Sequence, residues 1–519
     1  MTQIPQQNNA AEQDPAKLLT HIFREFTGVK TSASRIAIPD DKVYNCENII
    51  PIGPQNAHVV KNISGGLVNY LSDLIYWSQS VNLNNTEYLV NFSSNGKVFF
   101  YNIAINSSSQ VNVGSLLSGA GSRCFQWKNS VILFIDATGY YAYDGSTFQK
   151  ITGPGVPSSG EDIAVFSGRV WITQGRLLIN SGADDYTAPA FLVQNGAAFK
   201  SLTDSQIRTK VQRMTVSNNL LYLFHGTGVN VISNVTVPFG SVPPTPLYQN
   251  SNIQSLIGSD HPASIFPYDR FIMFASRYGV YQLYGISAPK VSEDIDGTWQ
   301  YLDFSQSIAG GQVVVENILC SAFLIKRIND PVFGSNTILA MWFKKEEQDR
   351  WWFANYGPLT FIVSSFLNNV ASLYGFKGNI LYKLFSDSSS APDTTISTKL
   401  WAMEDDLARK GVLRAGFLAS FQIFGGSLKL FVDTQVQSID TGITINIGSG
   451  NWINKFGVQG QWQNSFGVNA GWAAPGPFLE SGQSIPLYDH YVGLTLTSSG
   501  YRYVLNLMAM DYKLADRWT

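Results

Sequence analysis

The side chains that most often bind metals or form disulfides are few in this sequence and lie far apart. Five histidines and three cysteines occur, without HxxxH, HxH or CxxC spacing. They are His21, His58, His225, His261, His490, Cys46, Cys124 and Cys320. Because a zinc site needs closely spaced ligands and a disulfide framework needs an even number of cysteines, we expect no metal, no cofactor and no disulfide. Scattered cysteines of this kind are most simply buried free thiols.

Carboxylates and a tryptophan come together once in a pattern known from propeller enzymes. SEDIDGTW at 292–299 approaches the Asp box of sialidases, SxDxGxTW, but Asp296 occupies the first glycine position and Gly297 is shifted by one. Asp boxes are structural turns, and the acidic pairs at 184–185 and 405–406 fit solvated turns. The sequence also lacks a GxSxG motif and a P-loop. It therefore predicts no catalytic residue and no enzymatic activity.

Charge is scarce throughout the chain. Charged residues make up 14% of the 519 residues, with a formal net charge of −2, whereas globular domains average about 25%. Low charge is typical of a weakly charged β-protein and of a subunit that buries much of its surface in an assembly. Without a long basic run, sequence-specific DNA binding is not expected, although DNA could pass a near-neutral surface without adhering.

Targeting signals are missing from the sequence. The first 14 residues lack the basic and apolar regions of a signal peptide. No apolar run approaches the roughly 20 residues that a membrane-spanning helix needs. We therefore expect synthesis in a cytoplasm and no membrane-spanning segment.

A two-part strand pattern recurs between about residues 75 and 385. Each copy has an apolar strand, a short polar turn and a second strand of bulky apolar residues. Examples are CFQWKNSVILFID (124–136), IAVFSGRVWITQ (163–174), MTVSNNLLYLFH (214–225), SIFPYDRFIMFAS (264–276) and SLYGFKGNILYKLFS (372–386). Repetition of small antiparallel sheets is typical of β-propellers. The pattern predicts an all-β fold containing a degenerate propeller of five to seven blades.

Composition divides the chain into three predicted parts. Residues 1–66 form an N-terminal arm and extended leader, with a short helix at about 15–26. Residues 67–390 form the propeller, and the Ser-rich stretch SDSSSAPDTT at 386–395 is the clearest linker. Residues 391–519 then contain long strands and a hairpin with alternating faces, which favour a β-sandwich.

A short duplication lies within that last part, in a Trp/Gly-rich loop at 448–478. NKFGVQGQW (454–462) and NSFGVNAGW (464–472) repeat at a period of ten. One interpretation is a hairpin whose tryptophans pack on the sandwich; the other is a projecting loop that contacts a partner. Glycine weakens strand interiors and Trp is enriched at interface hot spots, which favours the loop. The candidate interface residues are Trp452, Phe456, Trp462, Phe466 and Trp472.

The order of these elements resembles that of the tail hub, or nozzle, proteins of short-tailed bacteriophages, also called packaged-DNA stabilisation proteins. The resemblance is carried by the leader FTGVKTSASRIAIPDDKVYNCENIIPIGP, by the blades FSGRVWITQGRLLINSGADDY and RMTVSNNLLYLFHGTGVNVIS, and by the segment from 398 onward. It implies a structural virion protein that forms a hexameric ring below the portal and the adaptor, or head-to-tail connector, ring. Such a ring extends the DNA channel, helps to retain packaged DNA and carries tail fibres, spikes or a plug.

The sequence is also compatible with two other classes of function. A glycan-binding propeller adhesin would need aromatic and carboxamide clusters repeated in each blade. A propeller glycosidase is suggested by the altered Asp box, and a sialidase would also need a cluster of three arginines.

Overall fold

The computed structural model describes residues 18–111, 122–202, 207, 209–254, 256–330, 333–386, 390–404, 407–423, 427–443, 452–453, 459–460, 479–480, 485 and 487–514. Over these residues the protein is almost entirely β-strand, which confirms the predicted all-β class. Helices are restricted there to one α-helical turn and four 3-10 turns: Asp296–Trp299, Ala188–Phe191, Val193–Asn195, Pro262–Ser264 and Glu293–Ile295. None of the helices in the described chain is long and apolar enough to span a membrane.

The chain divides into two compact units. The terminal unit consists of Met1–Lys61 together with Ser389–Thr519, and the central unit is Asn62–Ser388. The predicted leader of residues 1–66 therefore belongs, up to Lys61, to the same compact unit as the predicted C-terminal domain.

The described residues of the central unit form seven small antiparallel sheets in which consecutive strands pair, here numbered along the chain. Sheet 1 consists of Ile75–Leu83, Thr86–Ser93, Val98–Asn102 and Ser107–Val111. Sheet 2 consists of Arg123–Trp127, Val131–Asp136, Gly139–Tyr143 and Phe148–Ile151. Sheet 3 consists of Asp162–Phe166, Arg169–Gln174, Leu177–Asn180 and Ala198–Ser201. Sheet 4 consists of Val211–Ser217, Leu220–His225, Gly228–Thr236 and Leu247–Gln254. Sheet 5 consists of Phe266–Tyr268, Phe271–Ser276 and Gly279–Leu283. Sheet 6 consists of Ala309–Val315, Ile318–Asp330, Gly334–Lys345 and Gln348–Ala354. Sheet 7 consists of Phe361–Leu367, Val370–Lys377, Ile380–Lys383 and Val68–Asn69.

Asparagine pairs close several of the first hairpins. Asn218 and Asn219 join the first two strands of sheet 4 with φ of 50° and 57°. Asn368 and Asn369 do the same in sheet 7 with φ of 53° and 61°. Two consecutive residues with positive φ are the requirement of a type I′ turn, and asparagine tolerates that conformation better than most residues. The polar turns of the sequence pattern are therefore tight hairpin turns.

The core of the central unit lies between neighbouring sheets. Ile163 and Ile172 of sheet 3 pack with Leu133 and Ile135 of sheet 2, whereas Trp171 of sheet 3 packs with residues of sheet 4. Because successive side chains of a strand point to opposite faces, one strand fills two cores. Burial of both faces explains why the second strands read as unbroken apolar runs rather than as alternating ones.

The first strands of the seven sheets contact one another in chain order, and the first strand of sheet 7 contacts that of sheet 1. The two ends of the unit are joined in the same sheet. Val68 pairs with Leu381 and Asn69 with Ile380, so that a strand from the start of the unit is the fourth strand of sheet 7. The backbone N–H of Leu67 donates to the Leu381 carbonyl at 2.8 Å.

The described residues of the terminal unit form two groups of antiparallel strands and a short hairpin. One group contains Val43–Glu47, Thr394–Thr398, Gly493–Ser499, Ser427–Asp433 and Ser438–Asp440. The other contains Ile49–Gly53, Asn56–Val59, Arg502–Leu514, Lys410–Ile423, Leu19–Phe23, Leu479–Glu480 and Leu487–Asp489. The hairpin consists of Trp452–Ile453 and Gln459–Gly460.

The helix predicted at about 15–26 is wrong where the structure describes the segment. Leu19–Phe23 is a strand that pairs with the C-terminal strand, Leu19 opposite Tyr512 and Phe23 opposite Met508. Phe23 is buried, whereas Ile22 is 54% exposed. Pairing with a partner almost 500 residues away overrides a local spacing that also suits a helix.

Candidate functional site

A cavity of about 400 Å³ lies among the first strands of the central unit. First-strand residues of six sheets line it, and sheets 1, 2, 4, 6 and 7 contribute most of its wall. The carboxamides of Gln79, Gln126 and Gln312 provide polar wall, and Phe125 and Phe361 provide aromatic wall. A cavity of this size with a few polar groups in an apolar wall suits a small molecule.

Two residues of this wall, Trp77 and Arg213, contact two residues that do not line the cavity, Arg123 and Asp162. We call the four side chains the Trp77 cluster: Trp77, Arg123, Asp162 and Arg213. They come from the first strands of sheets 1, 2, 3 and 4. The Cζ atom of Arg123 lies 3.6 Å from the centroid of the Trp77 ring, and that of Arg213 lies 5.0 Å from it. Nη1 of Arg213 is 3.4 Å from Oδ1 of Asp162. The two guanidinium groups therefore share one aromatic ring.

Asp162 is fully buried. Its second oxygen, Oδ2, accepts a hydrogen bond from the backbone N–H of Met214 at 2.5 Å. Burial raises the pKa of this carboxyl above its ordinary value, and the neighbouring Arg213 and Arg123 only partly offset that rise. Burial likewise lowers the pKa of Arg123 to about 10, while Asp162 acts in the opposite direction. Arg123 still carries its proton at neutral pH.

Several donors of the cluster have no hydrogen-bond partner within the described part of the chain. They are Nε of Arg123, Nε of Arg213 and Nε1 of Trp77, all buried atoms. The remaining contact of Arg213, from Nη2 to Oε1 of Gln79, is long at 3.5 Å. A buried donor without a partner costs about 1–3 kcal/mol. The cluster therefore has unused capacity to donate hydrogen bonds.

A second cavity, of about 300 Å³, touches Arg123 but not the other three cluster residues. Ser159, Glu161, Lys210 and Gln212 also line it. Trp77 and Arg213 line the larger cavity, so the cluster stands between the two.

The predicted interface residues lie mostly beyond what the structure describes. Trp452 begins the short strand Trp452–Ile453, which is antiparallel to Gln459–Gly460. Phe456, Trp462, Phe466 and Trp472 lie outside the described residues. Their role in a partner contact stays a prediction.

The segment that resembles an Asp box has structural contacts. Trp299 is buried, and its indole N–H donates to the Ser276 carbonyl at 3.0 Å. Oδ2 of Asp296 lies 2.7 Å from Nζ of Lys290. These contacts hold a short helix against sheet 5.

The dispersed histidines and cysteines remain apart in the fold. Among the described residues there is no group of three or more His, Cys, Asp or Glu side chains that could hold a metal ion. Cys46, Cys124 and Cys320 are buried free thiols. Burial raises the pKa of Cys124 to about 12, which keeps it protonated and unreactive.

A surface feature stands out on sheet 4. The connection between its third and fourth strands exposes large apolar side chains: Val237 (43%), Phe239 (108%), Val242 (93%) and, where the fourth strand begins, Leu247 (61%). We call this connection the Phe239 loop. The sequence of this connection, VPFGSVPPTPLYQ at 237–249, is Pro-rich and predicts a loop.

Sequence reasoning did not find the Trp77 cluster. Arg123 and Asp162 open the first strands of sheets 2 and 3, and Arg213 lies near the start of the first strand of sheet 4. The sequence feature that could have revealed the cluster is a charged residue at the start of successive repeats. Each residue taken alone reads as an ordinary strand end.

Comparisons with known proteins leave the family open. No family model matches the sequence, and no curated protein matches it. One similar solved structure is described as "Structure of U3-55K"; it is 9% identical, covers 63% of this chain and 99% of its own, and has a TM-score of 0.39. A likeness this weak has no bearing on function.

Proposed function

We propose that this protein is a structural component of the virion of a short-tailed bacteriophage. In this proposal it forms a hexameric tail hub, or nozzle, ring below the adaptor ring and anchors tail fibres, spikes or a plug. DNA passes through the lumen between subunits without sequence-specific binding. The sequence resemblance motivates this function, and the low charge of the chain is compatible with it.

In the same proposal the central unit is a seven-bladed β-propeller and the terminal unit is a β-sandwich. Support for the propeller comes from the circular order of contacts among the seven first strands. The pairing of Val68–Asn69 with Ile380–Lys383 is the kind of closure that leaves no open edge between the first and last blades. Such closure makes a rigid body suited to ring assembly.

The observation that carries the assembly proposal is the Phe239 loop. A fully exposed phenylalanine with three further exposed apolar side chains in the same connection is unfavourable in water. Exposed apolar patches commonly mark protein–protein contacts, and a few large side chains supply most of the binding energy there. We therefore assign the Phe239 loop to a contact with a neighbouring virion protein or subunit.

A substitution at Phe239 tests the assignment. Phe239→Ser should leave the free energy of unfolding within about 0.5 kcal/mol of wild type, because the side chain is exposed. Ring formation with co-expressed adaptor and portal should weaken by about 2 kcal/mol or more, which is roughly 30-fold. Ile105→Ser is the matched control, because Ile105 is 67% exposed in the corresponding connection of sheet 1.

Native mass spectrometry reports ring formation, and chemical unfolding reports stability. Equal incorporation of Phe239→Ser and wild type into the ring would contradict the assignment.

A ligand-binding propeller of the adhesin kind is the second candidate. The observation that favours it is the cavity of about 400 Å³, whose wall combines three glutamines with aromatic residues. Binding of a neutral or acidic sugar by a protein that stays monomeric with adaptor and portal would favour this function over the hub.

A further inference from the structure

We propose that the cavity among the first strands of the central unit binds a small hydroxylated acid, such as an acidic sugar, whose oxyanion is held by Arg213. The oxyanion is a carboxylate or a phosphate group. This inference does not depend on ring assembly, because every residue that carries it belongs to one central unit.

The charge of the Trp77 cluster is the first argument. Arg123 and Arg213 bring two guanidinium groups to a site where Asp162 is the only acidic member. Even with Asp162 ionised, one positive charge is left over. A buried charge is costly unless it is paired, and a guanidinium pairs best with a carboxylate or phosphate oxyanion.

Free donors beside the cavity are the second argument. Nε of Arg213 and Nε1 of Trp77 have no hydrogen-bond partner among the described residues, and both side chains line the cavity. The Arg213 side chain is 14% exposed, so a ligand can reach it. Its weak 3.4 Å and 3.5 Å contacts with Asp162 and Gln79 leave the guanidinium able to turn toward a stronger acceptor.

Glu87 is the acidic side chain that lines the cavity. Its backbone lies opposite Asn82 in sheet 1, and its carboxylate reaches back to Ser80, three residues along the strand from Trp77, which corresponds to roughly 10 Å. One of its oxygens accepts hydrogen bonds from Ser80 and from the backbone N–H of Phe366. The cavity is therefore positive at the Arg213 end and negative at the Glu87 end.

This polarity defines the ligand. An oxyanion fits the Arg213 end, and hydroxyl groups that donate hydrogen bonds fit the Glu87 end. The carboxamides of Gln79, Gln126 and Gln312 also line the cavity and can both donate to and accept from hydroxyls. Phe366 lines the Glu87 end and is 42% exposed, so the cavity is open to solvent there.

Calorimetric titration of the full chain with three related sugars tests the proposal. Glucuronate carries a carboxylate, glucose 6-phosphate carries a phosphate, and glucose carries neither. We expect at least one of the two acids to bind with a Kd below about 1 mM, and glucose to bind at least 10-fold more weakly. Comparison of the two acids identifies which oxyanion the site prefers.

Substitutions test whether Arg213 holds the oxyanion of the bound acid. Arg213→Gln should weaken binding of the preferred acid at least 10-fold, whereas Arg277→Gln, at an arginine that is 67% exposed on sheet 5's turn, should not change it. Gln126→Ala, which keeps the cluster intact, should weaken binding of the acid more modestly. It also provides a test should Arg213→Gln fail to fold.

Three results would overturn the proposal: neither acid binding below about 1 mM, glucose binding as tightly as the acids, or a folded Arg213→Gln protein that keeps wild-type affinity. Ring assembly is measured separately on the same variants. Loss of acid binding with normal ring assembly would count against the binding site but not against the hub function. Loss of ring assembly with normal acid binding would count against the hub function but not against the binding site.

Discussion

At the scale of residues, Asp162 combines two roles that substitutions can separate. Its carboxyl oxygen satisfies the backbone N–H of Met214, and its charge faces Arg213. Because burial raises its pKa despite both arginines, ionisation of this carboxyl is disfavoured in the folded protein relative to water. The hydrogen bond to Met214 should therefore matter more to stability than the charge.

Asp162→Ala should lower the free energy of unfolding by about 1–3 kcal/mol, because it leaves the Met214 N–H buried without an acceptor. Asp162→Asn keeps an oxygen at that place and should cost less than Asp162→Ala. Urea unfolding at pH 7 measures both. The control is Asp184→Asn, because the Asp184 side chain is 77% exposed; its free energy of unfolding should stay within about 0.5 kcal/mol of wild type. Alanine is unsuitable at this position because Asp184 has a positive φ of 56°. A greater loss with Asn than with Ala at position 162 would contradict this prediction.

The same carboxyl predicts a pH dependence. A carboxyl whose pKa is raised on folding adds stability below its unfolded pKa of about 3.9, and this contribution is lost as the pH rises through its folded pKa. Wild type should therefore gain stability relative to Asp162→Asn between pH 7 and about pH 4. Paired urea unfolding curves at both pH values measure the change. A relative loss on acidification would mean that the arginines outweigh burial and hold the carboxylate ionised.

At the scale of elements, the short strand Val68–Asn69 joins the start of the central unit to its end. Leu67→Pro removes the N–H that donates to the Leu381 carbonyl. We expect a loss of about 1–3 kcal/mol in the free energy of unfolding. Leu67→Ala truncates the same side chain but keeps the N–H, so it is the matched control and should cost less. Equal losses in the two variants would show that this backbone pairing does not contribute to stability.

The Trp-rich duplication is the other element with a separable prediction. If Trp462 and Trp472 contact a partner, replacing both with Ala should leave the melting temperature nearly unchanged and weaken particle incorporation by about 2 kcal/mol or more. If they are core residues, each substitution should cost about 3–5 kcal/mol of stability. A large drop in melting temperature with normal incorporation of the folded remainder would exclude the contact role.

Local pattern predicted the hairpins well and the distant pairings badly. The runs at 124–136, 163–174 and 214–225 cover most of the first two strands of sheets 2, 3 and 4, because alternation and turn residues are read within a dozen positions. The strand Val43–Glu47 pairs with Thr394–Thr398, and no local signal names a partner 350 residues away. The Trp77 cluster escaped notice for the same reason, since its four members lie in four different repeats.

At the scale of the whole molecule, the proposal requires two different surfaces on each subunit. A ring is built from heterologous contacts, so each copy presents one face to the preceding subunit and another to the next, and the ring closes at only one angle. Low charge favours such burial, because charged groups are depleted in interface cores. An isolated chain can remain monomeric until an adaptor ring sets that angle.

The mass of the native assembly shows directly whether the protein forms a hexameric ring. It should be measured on the purified chain and on the chain co-expressed with its adaptor and portal. We expect a complex that contains six copies of this chain when the partner rings are present. A protein that remains a stable monomer in the presence of both partner rings would contradict it.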